Sequence, residues 1–596
     1  MGNTLLTLLS AEQIEHWYAA GHWRDDTIFS LVRDHARRTP KKPALRDRFR
    51  RVDYATLAEA ADALAADLAT RGVKPGERVA VWLPSRIESV IALLACSRNG
   101  YVCCPSLHRD HTTGEIIELL GRTRATAFIA QVGYGADADR RDIFAELAGI
   151  ETLKQVYRLD PPNETPSWPG LSRKSDLSDL RTLDAELGQA RVPMPSTSWQ
   201  LVQEGVDARD EPGHDGGEIK TDPNQVVYLA FTSGTTGTPK GVMHSDNTLL
   251  ANARAIAADW AIDAASVVYS LSPLSHNLGF GAMVMAFAAG GELVIHDLPR
   301  GASLIDRVIE TGASFLVGVP THAIDLLREL RERGHDSSSS GIGRLTGFRI
   351  SGAAAPREVV AQLIANGVMP QSGYGMTETC SHQYTLPTDD ASLIIETCGK
   401  ACPGYELKIW SRDDPDVEVA AGEIGQIGGR GASLMLGYFD DQAATEAAFN
   451  AHGWFMTGDL GWMDERGYLR ITGRKKDVII RGGHNIFPAR IEDLAMRHPA
   501  VERVAAVPVA DARLGEKVCL AVMWRRGARV EPSEMLAHLD AMGLSKYDMP
   551  EYLLELDHIP LTPSGKMRKR DIVDWIADGR AVPEPVRASG VKTARG

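Results

Sequence analysis

Apolar positions in the first part of the chain follow two periods in turn. Residues 54–68 repeat apolar side chains at three- and four-residue spacing, as a helix does, and a glycine turn at 72–76 leads into the apolar run 78–82. A second helical stretch covers 85–96, and 126–130 is the next apolar run. Helices that alternate with buried strands predict a parallel sheet with helices on its faces.

The same alternation returns in the middle of the chain. Predicted strands are at 267–271, 292–296, 314–319 and 346–350. Predicted helices are at 248–259, 303–311, 321–333 and 356–366. The fold class is therefore predicted to be α/β, with two doubly wound subdomains. Residues 160–220, rich in proline, serine and glycine, predict a long surface excursion between the two subdomains.

The last third of the chain has a different pattern. Short strands with glycine turns, such as 423–427 and 462–471, predict a small β-barrel-like layer, and residues from 477 onward predict a compact α+β unit. A chain of 596 residues exceeds what one hydrophobic core can hold. We therefore expect a large N-terminal domain at 1–475, a small mobile C-terminal domain at 476–578 and a disordered tail at 579–596.

The composition is that of a globular protein, with 44% apolar and 24% charged residues. A net charge of -13 opposes nonspecific binding to nucleic acid or anionic membranes. No apolar stretch is long enough to span a bilayer, and the first residues lack the basic segment of a signal peptide, so a cytoplasmic location is expected. Seven cysteines without metal-ligand spacing indicate reduced thiols and no structural metal.

A candidate phosphate-binding loop follows the apolar run 226–231. This phosphate loop, residues 232–241, has the sequence Thr-Ser-Gly-Thr-Thr-Gly-Thr-Pro-Lys-Gly. Glycines let backbone N–H groups turn toward an anion, hydroxyls donate hydrogen bonds, and Lys240 adds a positive charge. The loop differs from a Walker A loop because its lysine precedes the glycine. A flexible linker is the alternative interpretation, which the preceding strand pattern disfavours.

Four further motifs follow the phosphate loop in order. They are Gly373-Tyr-Gly-Met-Thr-Glu378, Thr457-Gly-Asp459 with Arg474, the stretch 474–477 followed by Gly482 and Gly483, and Pro563-Ser-Gly-Lys566. With this combination the chain resembles, over residues 25–575, the acyl-adenylate-forming (ANL) superfamily and in particular its acyl-CoA synthetase branch. The resemblance implies an N-terminal adenylation domain, a C-terminal lid domain, and ATP, Mg²⁺ and coenzyme A as cofactors.

The resemblance also implies roles for individual residues. Tyr374 would lie on the adenine ring, Thr377 would contact the α-phosphate, and Asp459 with Arg474 would bind ribose, whose hydroxyls suit a carboxylate acceptor. Taken singly, Tyr374 has a core tyrosine as its alternative, and a lone Asp459 would be better explained as a turn residue. The implied nucleotide and CoA contacts are Thr232, Ser233, Gly234, Thr235, Thr236, Gly237, Lys240, Gly352, Ala353, Tyr374, Gly375, Met376, Thr377, Asp459, Arg474, Gly482 and Gly483.

Three residues are implied to be catalytic. Lys566 would place its charge between the attacking carboxylate and the α-phosphate. Lys476 would be the hinge about which the small domain rotates between two half-reactions, although Lys475 and Lys476 could be a solvated charge pair. His276 would open and close the tunnel for the CoA thiol, and a packed core histidine is the alternative.

The metal and the acid have their own implied contacts. Glu378, together with Thr232, would hold Mg²⁺, which prefers hard oxygen ligands. The implied acid pocket consists of His276, Asn277, Phe280, Gly318 and Gly373. No aspartate lies between Asp263 and Asp297, where amino-acid-activating domains hold the substrate ammonium group, and this disfavours an amino acid.

Local sequence is most similar to cyclohexanecarboxylate-CoA ligases, at residues 21–27, 242–249 and 273–276, and departs from them at Asn277 and 351–355. A small alicyclic, aromatic, or short branched or hydroxylated acid is therefore expected. Two alternatives stay open: an aryl-acid adenylating enzyme that passes the acyl group to a carrier protein, and a catalytically silent nucleotide or acyl sensor. Monomer and homodimer are both compatible with the sequence.

Overall fold

The computed structural model describes residues 8–162, 181–182, 221–232, 239–299, 301–334, 342–352, 356–482, 484–561 and 567–586. In the first part of the chain the helices are α1 (Ala11–Ala19), α2 (Ile28–Arg38), α3 (Tyr54–Thr70), α4 (Ile87–Asn99) and α5 (Thr113–Thr123). The strands there are β1 (Pro43–Arg46), β2 (Arg51–Asp53), β3 (Arg78–Trp82), β4 (Val102–Cys104), β5 (Ala125–Gln131), β6 (Gln155–Leu159) and β7 (Arg181–Thr182).

The middle of the chain repeats this alternation. Its strands are β8 (Val226–Thr232), β9 (Lys240–Ser245), β10 (Val267–Ser270), β11 (Glu292–Ile295), β12 (Phe315–Gly318), β13 (Gly347–Ser351), β14 (Met369–Met376), β15 (Cys380–Tyr384) and β16 (Lys400–Ala401). Its helices are α6 (Asp246–Asp259), α7 (Asn277–Ala289), α8 (Leu304–Thr311), α9 (Pro320–Glu332), α10 (Arg357–Ala365) and α11 (Ala391–Glu396).

The last third contains shorter strands. They are β17 (Tyr405–Trp410), β18 (Gly425–Gly431), β19 (Gly437–Tyr438), β20 (Phe455–Met463), β21 (Leu469–Arg474), β22 (Ile479–Arg481), β23 (His484–Ile486), β24 (Val501–Asp511), β25 (Gly515–Trp524), β26 (Tyr552–Glu555) and β27 (Glu584–Pro585). The helices are α12 (Gln442–Ala447), α13 (Pro488–Met496), α14 (Pro532–Ala541) and α15 (Lys569–Ala577).

Two large sheets form the N-terminal part. Sheet A has the strand order β16-β15-β14-β13-β12-β10-β11-β1-β2 and is parallel from β14 to β1. Sheet B has the order β19-β9-β8-β4-β3-β5-β6-β7. The largest buried core contains side chains of α2, α3, α4, α6 and α7 together with strands of both sheets. These central helices therefore share one core with both sheets.

Two smaller sheets follow. Sheet C is antiparallel in the order β17-β18-β20-β21, and it is the small β layer that the glycine turns predict. Sheet D, from β22 to β27, has two cores built from residues 479–586. The predicted fold class is confirmed: an α/β N-terminal part with two subdomains and a β layer, followed by a small α+β domain.

Several predicted boundaries differ from the observed ones. The segment 462–471 is the end of β20, a turn and the start of β21, because Asp464 accepts hydrogen bonds from the backbone of Arg466 and Tyr468 while Gly467 has φ of +86°. Disorder after residue 578 is wrong for 579–586, because β27 pairs with β26. Most of the predicted excursion at 160–220 lies outside the described residues. Within the described ranges, no helix has the length and apolar character needed to cross a membrane.

Candidate active site

One corner of the site joins sheet A to sheet C through Tyr374 and Asp459. The Tyr374 hydroxyl donates to Asp459 Oδ2 over 2.7 Å, and Arg474, opposite Asp459 on β21, has Nε 3.2 Å from Asp459 Oδ1. The tyrosine and the aspartate are each only 8% exposed. Burial, with the Asp459 charge beside it, holds the pKa of Tyr374 well above its usual range, so the hydroxyl keeps its proton. The structure thus brings together the three residues predicted to bind adenosine.

A second cluster forms around Glu378, which is 6% exposed. The Tyr438 hydroxyl donates to Glu378 Oε1 over 3.0 Å, and Lys240 Nζ lies 4.6 Å from the centre of the Tyr438 ring. Burial raises the pKa of Glu378, and the Asp459 charge adds to this, while the Tyr438 hydrogen bond and the Lys240 charge oppose it. Glu378, the predicted metal ligand, and Lys240, a predicted phosphate contact, therefore both contact Tyr438.

The chemistry of Glu378 fits Mg²⁺. A carboxylate oxygen is a hard ligand, and Mg²⁺ is commonly held by one or two carboxylates plus substrate phosphates and water. Among the described residues no group of three or more Asp, Glu, His or Cys side chains could form an all-protein cage. A metal at Glu378 would consequently share its remaining coordination with the nucleotide. When bound, Mg²⁺ would neutralise charge on the phosphates of ATP.

The phosphate loop is closed at its base by a strand pair. Thr232 at the end of β8 pairs with Lys240 at the start of β9, and the Thr232 hydroxyl donates to the Lys240 carbonyl over 3.4 Å. The intervening predicted contacts Ser233, Gly234, Thr235, Thr236 and Gly237 lie outside the described residues. The loop therefore leaves and re-enters sheet B at paired residues, and Lys240 at its end lies beside Tyr438.

His244 supports this region, and sequence reasoning missed it. It is fully buried on β9, and its Nε2 lies 2.7 Å from the carbonyl oxygen of Thr377, the residue predicted at the α-phosphate. Burial lowers the pKa of His244 to about 4, so the ring is neutral near pH 7. Because a carbonyl only accepts, the proton must be on Nε2, and Nδ1 faces Thr248 Oγ1 at 3.0 Å. His244 therefore holds the Thr377 backbone, a contact that no local sequence pattern could indicate.

The backbone of β14 is closely packed beside these side chains. A Cβ on Gly375 would lie 2.0 Å from the Cys380 carbonyl oxygen, so no other residue fits there. The Met376 carbonyl accepts from Asn277 Nδ2 at 3.3 Å, which joins β14 to the first residue of α7. Gly352 has φ of +92° at the end of β13, and Ala353 lies outside the described residues.

The predicted thiol gate, His276, belongs to a row of three histidines. The His276 and His108 rings stack at 5.2 Å and 25°, and the His108 and His111 rings stack at 5.5 Å and 27°. His108 Nδ1 lies 3.0 Å from Ser275 Oγ, and burial lowers the pKa of His108 to about 4. The stack joins the loop before α5 to the loop before α7. His108 and His111 were not predicted, because nothing in their local sequence marks them.

The remaining predicted pocket residues differ in where they point. A Cβ on Gly373 would lie 3.0 Å from Arg349 Nη2, on the side of sheet A that α7 covers. A Cβ on Gly318 would point instead to His322 and Phe348, in the core on the other side of this sheet. Phe280 is 1% exposed and stacks on Tyr228 with ring centroids 4.0 Å apart. Gly373 thus lies on the face of sheet A that α7 covers, with Arg349 beside it, whereas Gly318 lies on the opposite face.

The small domain follows Arg474 in sequence. Lys476 lies in a short 3₁₀ turn, Lys475–Asp477, next to Arg474, and burial and that positive charge lower the pKa of Lys476. Gly482, with φ of +58°, turns β22 into β23, while Gly483 lies outside the described residues. Lys566 is also outside them, but Leu561 pairs with Met567 on either side of its segment. The hinge, pantetheine and lysine roles stay predictions.

Comparison with known proteins shows the family of the chain. Residues 32–439 match the AMP-binding enzyme family, and residues 490–566 match the AMP-binding enzyme C-terminal domain. The chain therefore belongs to the AMP-binding enzyme family, the adenylate-forming class to which the fold and motifs point.

Individual relatives agree over nearly the full length. The chain is 29% identical over 571 residues to the medium-chain fatty-acid–CoA ligase of Escherichia coli strain K12, covering 95% of this chain and 94% of that protein. It is 30% identical over 577 residues to a salicylyl-CoA synthase / salicylate adenylyltransferase of a Streptomyces species, covering 95% and 97%. ATP-bound MatB from Rhodopseudomonas palustris superposes with a TM-score of 0.76 at 26% identity, covering 93% and 99%.

The chain is an AMP-forming acid–thiol ligase, an acyl-CoA synthetase that acts through an acyl-adenylate. ATP, Mg²⁺ and coenzyme A are its cofactors and co-substrates, and a carboxylic acid is its acyl donor.

Proposed function

We propose that this ligase activates a small alicyclic, aromatic, or short branched or hydroxylated acid. The observation that carries the proposal is the open space beside Gly281, one turn beyond Asn277 on α7. An added Cβ at Gly281 meets no described atom within 4 Å, although its neighbours Phe280 and Ala282 are buried. Asn277, one turn earlier on the same face of α7, donates to the Met376 carbonyl of β14. A pocket between α7 and β14 would lie directly beside Tyr374 and Asp459.

The chemistry would have two half-reactions. A carboxylate oxygen of the acid attacks the α-phosphorus of ATP, pyrophosphate leaves, and an acyl-adenylate forms. The CoA thiol, on losing its proton, then attacks the acyl carbon, and AMP leaves as the thioester forms. Tyr374 and Asp459 hold the adenosine through both steps, His244 fixes the Thr377 backbone, and rotation about Lys476 would exchange the two half-reactions.

Coenzyme A is favoured over a carrier protein as acceptor. Both full-length relatives named above are CoA ligases or synthases, although one is also an adenylyltransferase. A silent sensor is disfavoured because the residues implied to hold Mg²⁺ and ribose are all present. Glu378 accepts from Tyr438, and Asp459 pairs with Arg474. We also propose a cytoplasmic location, because the seven cysteines are free thiols and six are buried, as reducing conditions allow.

The proposal is tested by assaying a panel of acids from each class with MgATP. Pyrophosphate release reports adenylation, and thioester formation with CoA reports the second step. We expect at least one ring-bearing or branched acid to be turned over with a higher kcat/KM than straight-chain acids of equal carbon number. A preference for straight-chain acids would contradict the proposed substrate class. Thioester formation with a holo carrier protein but not with CoA would favour the carrier alternative.

Replacing Gly281 with methionine should shorten the pocket. We expect kcat/KM to fall by about 10- to 100-fold for the larger acids and to change little for the smallest, since a few methylenes are each worth about 1 kcal/mol or more. Thermal stability should stay equal or rise, because glycine inside a helix costs about 1 kcal/mol relative to good helix formers. The matched control is Gly121→Met on α5, where an added Cβ also meets no described atom but faces solvent. Equal effects of both variants would remove Gly281 from the pocket.

A further inference from the structure

Arg349 is a buried arginine without a charge partner. It lies on β13, is 3% exposed, and forms no ion pair with a carboxylate among the described residues. Its Nη1 donates to Gln371 Oε1, but its Nη2 has no hydrogen-bond partner in the described structure. Burial lowers the pKa of Arg349 to about 10, and no carboxylate offsets this. An uncompensated guanidinium in a protein interior is costly, so its retention needs a reason.

Gln371, beside Arg349, also has a donor without a hydrogen-bond partner among the described residues. The amide is fully buried on β14, directly opposite Arg349 in the strand register. Because Arg349 can only donate, the Gln371 oxygen must face it, which leaves the amide Nε2 pointing elsewhere. That nitrogen also lacks a partner in the described part of the chain. Two adjacent side chains therefore each present a free donor, and one of them carries a full positive charge.

These donors lie on the pocket side of sheet A. Arg349 pairs with Val317, which packs in the core of α7, whereas its neighbours Phe348 and Ile350 pack in the core on the opposite side. Two residues beyond Gln371 on the same face is Gly373, where an added Cβ would lie 3.0 Å from Arg349 Nη2. The guanidinium thus occupies the space that a side chain at 373 would fill, one residue before Tyr374.

Neighbouring groups do not satisfy the charge. The Arg349 guanidinium carbon lies 5.6 Å from the centre of the Tyr384 ring, a cation–π contact that leaves its N–H groups free. The Tyr384 hydroxyl donates to Asp259 Oδ2 over 2.7 Å, so this nearby carboxylate is engaged by the tyrosine. Arg349 Nη2 therefore lacks a negatively charged hydrogen-bond acceptor among the described residues.

We propose that Arg349 and Gln371 form a subsite for a second carboxylate on the acyl substrate, so that the preferred acid is a dicarboxylic acid. This inference rests on the substrate class proposed above and narrows it to acids that carry a second carboxylate. Arg349 Nη2 and Gln371 Nε2 would each donate to the remote carboxylate while the other carboxyl group reacts at the α-phosphate. Arginine suits this role because its planar fork matches the two oxygens of a carboxylate.

The test compares acids of the proposed class in matched pairs that differ in the remote carboxylate: cyclohexane-1,4-dicarboxylate with cyclohexanecarboxylate, 3-methylglutarate with 3-methylpentanoate, and phthalate with benzoate. For the wild-type enzyme we expect a higher kcat/KM for the dicarboxylate in at least one pair. Arg349→Met should lower that value by about 100-fold and leave the monocarboxylate value unchanged or higher. Gln371→Leu should act in the same direction with a smaller effect. Arg349→Lys should recover part of the loss, since it keeps the charge without the fork.

A control variant separates this role from a general effect of burial. Arg307 is 5% exposed on α8, in the core on the other side of sheet A. Arg307→Met should change stability without changing the ratio between the paired acids. AMP binding by each variant reports whether Tyr374, Asp459 and Arg474 keep their arrangement.

Binding measured by thermal shift in the presence of AMP distinguishes the two proposals. Arg349-dependent binding of a dicarboxylate without any thioester formation would support the subsite and contradict the substrate class proposed above. Turnover of monocarboxylates alone, with Arg349→Met as active as wild type, would overturn the subsite and leave the ligase function standing. No binding of any dicarboxylate in the panel would also overturn it.

Discussion

Replacing Lys566 with alanine is expected to lower the rate of acyl-adenylate formation by roughly 100- to 1,000-fold. Negative charge grows on the α-phosphate as a carboxylate approaches it, and a single preorganised cation is worth about 3 to 4 kcal/mol in such a transition state. Thioester formation from a supplied acyl-adenylate should be nearly unchanged, because that step needs no charge at this position. The two steps are measured separately, as pyrophosphate release and as AMP release on addition of CoA.

Lys569 provides the matched control, because it belongs to the same basic stretch. Its Nζ lies 2.7 Å from Glu492 Oε1, so it holds α15 on the small domain and has no predicted part in the chemistry. Lys569→Ala should lower thermal stability slightly while both half-reactions continue. If Lys566→Ala slows both half-reactions equally, the lysine serves folding or domain position instead of adenylation.

The strands and helices could largely be predicted because their signals are local. The apolar run at 78–82 coincides with β3, and the strand and helix predictions between 248 and 366 differ from the observed bounds by one or two residues. β27 escaped prediction because two residues that include Pro585 carry no periodicity, and only pairing with β26 makes them a strand.

The site was predictable where motifs carry it and not where tertiary contacts do. Tyr374, Asp459 and Arg474 meet as the resemblance implied. His244, by contrast, acts on Thr377, which lies 133 residues away in sequence, and no local pattern could reveal that contact. Gly318 was implied to line the acid pocket, but strand parity turns its Cβ direction to the opposite face of sheet A. Arg349 lies within the predicted strand 346–350, and only the tertiary structure shows that its Nη2 has no hydrogen-bond partner among the described residues.

Replacing Glu378 with glutamine should nearly abolish adenylation at low Mg²⁺. The change keeps the size of the side chain but removes the negative charge that a metal requires, and loss of several kcal/mol of charge stabilisation corresponds to about 1,000-fold in rate. Adding Mg²⁺ should restore part of the rate, since phosphate oxygens still bind the metal. Pyrophosphate release measured across a Mg²⁺ titration gives both quantities.

The pH dependence follows from the burial of the same carboxyl group. Burial raises the pKa of Glu378, so the wild-type enzyme should lose Mg²⁺ affinity as pH falls through this raised value, at a higher pH than an exposed glutamate would cause. Glu378→Gln should lack that step in the titration.

Two further variants separate the charge of Glu378 from its surroundings. Tyr438→Phe removes the hydrogen bond to Glu378 and leaves the carboxylate in place, so Mg²⁺ affinity should fall by only about 10- to 100-fold. Glu423→Gln changes an exposed glutamate just before β18 and should have no effect. If Glu378→Gln binds Mg²⁺ with wild-type affinity, the buried carboxylate serves packing around Tyr438 and the metal is held by other groups.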